Sequence, residues 1–289
     1  MTGIDVGIGL PTTVPGKDGT ALPAWARRAE DLGFASLGVL DRLVYDNFEP
    51  LVSLAAAAAA TTRIRLVSTI LIAPYRGGAA LLAKQAATVD ALSGGRLVLG
   101  VAAGGREDDY AATGAPYSGR GARLDRLIGE LRDTWDGGGA VPGIGPRPAR
   151  PGGIPLLVGG HSPAAMRRAA RFGTGWIAGG SSVTAYPELV RRAHAAWAGE
   201  GRTDRPRMVS LIYACLGPDA ERVATEYLRG YYAFIGAKAE RAAAGVLLDA
   251  VRLRETVQGY AEAGCDELII MPCTADPRQP DLLAKAALG

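Results

Sequence analysis

The chain has 289 residues, of which 48% are hydrophobic, 21% charged and 6% aromatic, with 40 glycines and 18 prolines. That length supports a large buried core, and the profile is that of a compact enzyme rather than a disordered or fibrous chain. With 32 basic against 29 acidic side chains the formal charge is +3, and no Lys/Arg block is interleaved with aromatics, which argues against a nucleic-acid partner.

The first ten residues carry no basic start followed by an apolar stretch and a small-residue cleavage site. No apolar run reaches membrane-spanning length, so a cytoplasmic protein without a membrane partner is expected. Cys215, Cys265 and Cys273 show no CxxC spacing and read as packed thiols. The two histidines, His161 and His194, cannot build a His-rich metal centre, and no metal is assigned.

Apolar, strand-like runs appear in chain order at Ile4–Leu10, Phe34–Leu40, Ile64–Ile72, Leu97–Ala102, Pro155–Val158, Trp176–Ala178, Met208–Leu216 and Glu267–Met271. Between and after them lie segments with helical spacing: Ala21–Leu32, Pro50–Ala60, Ala79–Leu92, Arg120–Trp135, Pro163–Phe172, Ala185–Gly199, Asp219–Ala237 and Val246–Ala263. Eight strand–helix alternations predict an α/β fold, a single (β/α)8 TIM barrel over 1–289. Glycines at 33, 173 and 264, each between a helix and a strand, are expected to act as left-handed caps. The Gly/Pro/Arg-rich stretch Trp135–Gly153 has no period and reads as a loop insertion, either a lid over a ligand or a surface excursion.

Three of the strand-like runs end in paired glycines: Gly104–Gly105, Gly159–Gly160 and Gly179–Gly180. Without a Cβ, a ligand can approach the backbone N–H groups closely, so the endings predict a strand-end surface for something flat, phosphorylated, or both. No GxGxxG fingerprint opens a βαβ unit, so direct nicotinamide binding is not indicated.

The segments TRIRL (62–66), AKQAATVDALSGGRLVL (83–99), GVAAGG (100–105), EDDYAATG (107–114), IPLLVGGHSPAAMRRAARFGTGW (154–176) and GCDELIIM (264–271) resemble the bacterial luciferase-like superfamily of flavin-dependent oxidoreductases. The resemblance implies a barrel that binds FMN, or alternatively coenzyme F420, with its ring at the carboxyl ends of the strands. With FMN the expected reaction is monooxygenation of a small organic substrate by reduced flavin and O2, electrons coming from a separate reductase. With F420 it is hydride transfer without oxygen. Homodimerisation is also implied, and alanine-rich faces at 55–60 and 79–87 would permit close helix packing.

By the same resemblance, Gly159, Gly160, His161, Gly179 and Gly180 would hold the cofactor phosphate, helped by a helix starting near Ser162–Pro163. His161 either meets the phosphate or merely caps at the surface. Ser68–Thr69 falls where the family often carries a non-proline cis peptide behind the ring, the alternative being an ordinary strand with two hydroxyls. Asp41 and Arg42 are the candidate catalytic pair. Arg42 stands where the family has histidine, and it would hold an anionic substrate group, stabilise negative charge near the flavin N1–C2 carbonyl, or serve only to pair with Asp41 and fix the loop. Arg106, after Gly104 and Gly105, would reach a phosphate or carboxylate unless Glu107–Asp109 neutralise it. Tyr75 and Arg76 would line the substrate side or simply pack. Two other readings stay open: a barrel enzyme acting on a phosphorylated metabolite, and a non-catalytic ligand-binding barrel.

Overall fold

In the computed structural model, which describes residues 3–289 (Lys238 for its backbone only), nine parallel strand segments close into a barrel. They are β1 (Asp5–Gly9), β2 (Ser36–Val39), β3 (Arg65–Ser68), β4 (Leu71–Ile72), β5 (Leu97–Ala102), β6 (Leu156–Gly159), β7 (Gly175–Ala178), β8 (Arg207–Ala214) and β9 (Glu267–Pro272). The sheet order is β3-β2-β1-β9-β8-β7-β6-β5-β4, and β3 also pairs with β5, which completes the ring. Because β3 and β4 are two parts of the single run 64–72, this is an eight-stranded (β/α)8 barrel, as the alternation predicted.

The period-2 alternation of the strands feeds two cores. On β9, Leu268 and Ile270 face the helices while Ile269 and Met271 fill the barrel lumen, and on β8 Val209, Leu211 and Tyr213 join the lumen set. The neighbouring strands supply glycine: a Cβ on Gly38 of β2 would lie 2.8 Å from Ile269, and one on Gly9 of β1, which pairs with β9, would lie 2.6 Å from Met271. Large side chains of β9 thus occupy the space left by glycines on the strands beside it.

The third strand is interrupted by a bulge. Val67 pairs with Val98 and Leu71 with Val101, so the chain advances four positions where its partner advances three. An extra residue turns the local side chains, a device common beside functional sites. Here it brings Thr69 and Ile70 to the cavity while the Ser68 hydroxyl lies 2.8 Å from both the N–H and the C=O of Gly100. The Ser68–Thr69 peptide is trans: the one cis peptide among the described residues is Gly145–Pro146.

The helices are α1 (Leu22–Asp31), α2 (Pro50–Ala60), α3 (Ala79–Leu92), α4 (Glu107–Thr113), α5 (Arg120–Asp136), α6 (Pro163–Phe172), α7 (Tyr186–Gly199), α8 (Ala220–Tyr231), α9 (Lys238–Ala244), α10 (Ala250–Glu262) and α11 (Gln279–Ala287). Three expectations change. The run Asp219–Ala237 is not one helix: it stops at Tyr231, passes through a 3-10 turn at Ala233–Ile235 and restarts as α9. α10 begins at Ala250 rather than Val246, because Leu247 bridges to Ala214 at the end of β8 and Asp249 caps the helix by accepting from the Val251 and Arg252 N–H groups. The short helix α4 and the closing helix α11 come without a long period.

Gly33 (φ +90°) and Gly264 (φ +86°) are positive-φ caps as expected. Gly173 is not: its φ is −90°, and glycine is needed there because a Cβ would come within 2.8 Å of two carbonyl oxygens. The loop 137–153 is no lid over the strand ends. It joins α5 to β6, so it lies at the amino ends of the strands, fastened by Lys84 Nζ donating to the Gly145 carbonyl and by the Ala149 N–H donating to Asp90.

At that same amino-end face Glu30, near the end of α1, accepts from the N–H groups of Thr62 (3.0 Å), Arg63 (2.6 Å) and Ile64 (2.7 Å). Partial burial pushes its carboxyl up, but those donors more than offset it and hold the pKa at about 2. The stabilisation is therefore present above the ordinary glutamate pKa and lost as pH falls from 4.5 towards 2. Glu30→Gln is expected to cost about 1 kcal/mol at pH 7, with the difference vanishing in urea melts near pH 2.

Candidate active site

Two adjoining compartments open at the carboxyl ends of the strands, sharing a wall of Ile70, Ile72, Gly104, Gly105, Gly179, Leu211 and Ile235. The first, about 860 Å³, is bordered by Thr69, Gly159, Gly160, His161 and Ser162, with Arg120 and Arg168 at its side. The second, about 730 Å³, is bordered by Asp41, Arg42, Arg106, Asp109, Tyr213, Tyr231, Tyr232, Phe234 and Arg241, among others.

The first compartment has the features of an anion cradle. β6 ends at Gly159, Gly160 turns with φ +123°, and α6 begins at Pro163 with the Ser162 hydroxyl accepting from the Ala165 N–H at 3.2 Å. Proline at the first helical position loses no hydrogen bond, and the remaining first-turn N–H groups and the positive end of the helix dipole face the opening. A Cβ added to Gly105, Gly179 or Gly180 would meet no atom within 4 Å, so these glycines present bare backbone to open space. That floor fits a flat ring with a phosphate. His161 borders the same space. Desolvation, then the neighbouring Arg192 guanidinium, push its imidazole pKa below the usual value, so the ring is neutral at pH 7. His194 is exposed on α7 and belongs to no site.

The second compartment rearranges the expected pairings. Asp41 does not pair with Arg42. Its carboxylate takes Arg76 Nη2 at 2.8 Å and the Ile72 N–H at 2.8 Å. Burial pushes the Asp41 carboxyl above its ordinary pKa, with Arg76 and the Ile72 amide acting against that push. Arg76 also reaches Glu49 at 2.6 Å, and Tyr75 is buried, so neither lines the cavity. The Arg42 guanidinium instead stacks among Tyr45 (4.8 Å), Tyr231 (4.9 Å) and Phe234 (5.1 Å) and donates to the Tyr231 carbonyl at 2.7 Å. Arg106 is neutralised by its own helix: it pairs with Asp108, lies 3.6 Å from Asp109, and packs 4.4 Å over the Phe234 ring. The Phe234 ring thus has two guanidinium groups within cation–π distance.

Of the residues singled out from sequence, Thr69 and the three glycine pairs, with His161, Asp41, Arg42 and Arg106, come together around these two spaces. Ser68 does not border either, being fully buried with its hydroxyl engaged at Gly100. Sequence reading missed Arg120, Arg168 and Arg241, and the aromatic wall Tyr213, Tyr231, Tyr232 and Phe234, in which the Tyr213 and Tyr232 hydroxyls lie 3.0 Å apart. The Tyr-Tyr-Ala-Phe run was the available signal. Treated as helix, it would scatter those rings around an axis, whereas the 3-10 turn gathers them. Cys215, Cys265 and Cys273 are buried free thiols, as expected. Among the described residues no helix is long and apolar enough to cross a membrane.

Comparison with known proteins places the whole chain. An uncharacterized protein of Mycobacterium tuberculosis is 34% identical over 208 residues, covering 62% of this chain and 72% of its own. An F420-dependent glucose-6-phosphate dehydrogenase of Kribbella flavida is 30% identical over 214 residues, covering 66% and 63%. Among solved structures, an F420-dependent secondary alcohol dehydrogenase in complex with an F420-acetone adduct superposes with a TM-score of 0.84 at 17% identity, covering 99% of this chain and 98% of that one. The FMN-bound oxygenating constituent of 3,6-diketocamphane monooxygenase from Pseudomonas putida superposes at 0.73 and 17%, covering 98% and 95%. Residues 4–269 match the family described as luciferase-like monooxygenase, and on that match the chain belongs to this family of oxidoreductases, which holds both F420- and FMN-dependent members.

Proposed function

We propose that this enzyme uses F420 rather than FMN and transfers a hydride between it and a small organic substrate. The observation that carries the choice is what lies beyond the phosphate cradle. Ala164 and Arg168, which border the first compartment, also border a neighbouring polar groove over α6 lined by Arg167, Arg168 and Arg171 against Asp125 and Glu200. Arg168 is held by Asp125, while Arg167 and Arg171 are exposed. FMN ends in one phosphate and has no use for cations past it. F420 continues from its phosphodiester into a chain of carboxylates, which a line of guanidinium groups would receive. The F420-dependent relatives at 27% and 30% identity support the same choice.

When bound, the deazaflavin supplies a carbon centre that accepts or donates a hydride. The chain's own residues bind, orient and shield. Gly105, Gly179 and Gly180 let the ring approach the backbone, Thr69 and Ile70 on the bulge border its space, and the α6 N-terminus holds the phosphate. The buried rings of Tyr213 and Tyr231 shield one side of the second compartment, where substrate would sit. The paired Tyr213 and Tyr232 hydroxyls are the groups there that can carry a proton to or from a substrate oxygen.

Titration with oxidised F420 and separately with FMN, each followed by its own fluorescence, tests the proposal. F420 is expected to bind at least about tenfold more tightly, a difference of 1.4 kcal/mol. The double variant Arg167→Gln/Arg171→Gln should erode that preference and leave FMN binding unchanged. Tighter binding of FMN would select the oxygen-using reaction instead, and binding of neither would overturn the flavoenzyme reading.

A further inference from the structure

Arg42 is a cation that burial has stripped of water without giving it a counter-ion. Only 8% of the residue is exposed, yet no carboxylate pairs with it among the described residues. The two acids on the same wall are engaged elsewhere: Asp41 by Arg76 and the Ile72 amide, Asp109 by the N–H groups of Leu43 (3.1 Å) and Val44 (2.7 Å). Of the guanidinium nitrogens, Nη1 donates to the Tyr231 carbonyl, Nε is buried with no acceptor, and Nη2 makes no hydrogen bond. The unspent Nε–Nη2 edge is the side that forms a two-point fork with a carboxylate.

A buried guanidinium lacking an anion is costly, and three aromatic faces offset only part of that cost. Arg241, exposed on α9 and in no ion pair among the described residues, borders the same compartment and adds a second positive charge. Ile70, Leu211, Ile212 and Ile235 give the same compartment an apolar stretch of wall, beside Ser181, Ser182 and the tyrosines. The phosphate cradle does not compete for this position, since it lies at β6 and Arg42 follows β2, across the barrel in the strand order.

We propose that the second compartment takes an organic acid, an apolar body bearing one carboxylate, with the carboxylate seated on the Nε–Nη2 edge of Arg42 and steered by Arg241. The inference rests on the oxidoreductase reading only in calling that acid the substrate, because the binding itself needs no cofactor.

The test is calorimetric titration of matched acid and amide pairs (butyrate and butyramide, benzoate and benzamide, 3-phenylpropionate and 3-phenylpropionamide) into the cofactor-free protein, with F420 binding followed separately by its fluorescence. At least one acid is expected to bind about tenfold more tightly than its amide. Arg42→Met should abolish that preference and Arg241→Gln should reduce it about two- to threefold. Arg42→Lys, which keeps the charge and loses the fork, should retain only part of it; it decides the matter should Arg42→Met fail to melt cooperatively. Acids and amides binding alike, no acid binding throughout the series, an acid preference that survives in Arg42→Met, or one that is undiminished in Arg42→Lys would each overturn the inference. Acid binding without F420 binding would remove the cofactor reading alone, and F420 binding without acid selectivity would remove this one alone.

Discussion

Arg76→Met is expected to destabilise the protein by about 3–5 kcal/mol, the cost of leaving a buried carboxylate without its partner. Asp41 is nearly enclosed and reaches Arg76 at 2.8 Å, and Arg76 carries the contact on to Glu49 at 2.6 Å. Burial already pushes the Asp41 carboxyl up, and removing Arg76 takes away its main opposing charge. With the folded pKa raised further, the variant is least impaired at acidic pH, where the carboxyl is protonated. The loss grows as pH rises through the folded pKa. Urea melts of wild type and variant across pH 4–8 check both magnitude and sign. Asp41→Asn in the Arg76→Met background should recover part of the loss, because the uncompensated charge is gone, and a recovery of zero would place the cost elsewhere. The functional consequence follows from position: the ion pair fixes the β2 loop that presents Arg42, so acid selectivity should loosen along with stability.

Gly100→Ala is the second large effect. A Cβ there would stand 2.1 Å from the Ser68 carbonyl oxygen, a backbone atom inside the bulged strand that cannot swing aside. Relief requires the bulge to shift, and overpacking of this kind costs about 3 kcal/mol. Gly105→Ala is the matched control. Its Cβ meets nothing within 4 Å, so stability should change little, while the methyl group occupies space offered to the cofactor ring and weakens F420 binding by about tenfold. Equal melting temperatures for wild type and Gly100→Ala would show that the bulge is not held as described. Unchanged binding by Gly105→Ala would remove that glycine from the ring surface.

The barrel was legible because its signal is repetitive. Eight apolar runs alternating with 3.6-period segments admit few closed arrangements, and the Leu97–Ala102 strand appears with the bounds read from sequence. The glycine turn and helix start at one end of the candidate site were legible for a related reason: Gly159–Gly160 followed by Ser162–Pro163 is local chemistry, a close backbone approach and a helix start within five residues. The substrate end was not. Asp41 lies beside Arg42 in sequence, but a strand end sends neighbouring side chains apart, and Asp41 instead finds Arg76, 35 positions away. Loop 137–153 was read as a possible cover from its composition, which carries no information about which end of the barrel it occupies. That follows from its connection, helix to strand, and places it opposite the site.

The sequence by itself determined the fold class, the family and the glycine-lined strand ends, because periodicity, helix caps and backbone access are properties of residues close together in the chain. Only the tertiary structure decided which charges are matched and which are left over. It assigned Arg76 to Asp41, Asp108 to Arg106 and, among the described residues, no acid to Arg42, and it gathered Tyr231, Tyr232 and Phe234 over the second compartment by breaking a helix that local pattern would have continued. Ion pairing and aromatic stacking act over a few ångströms between residues tens to hundreds of positions apart, and only the closed barrel sets those distances.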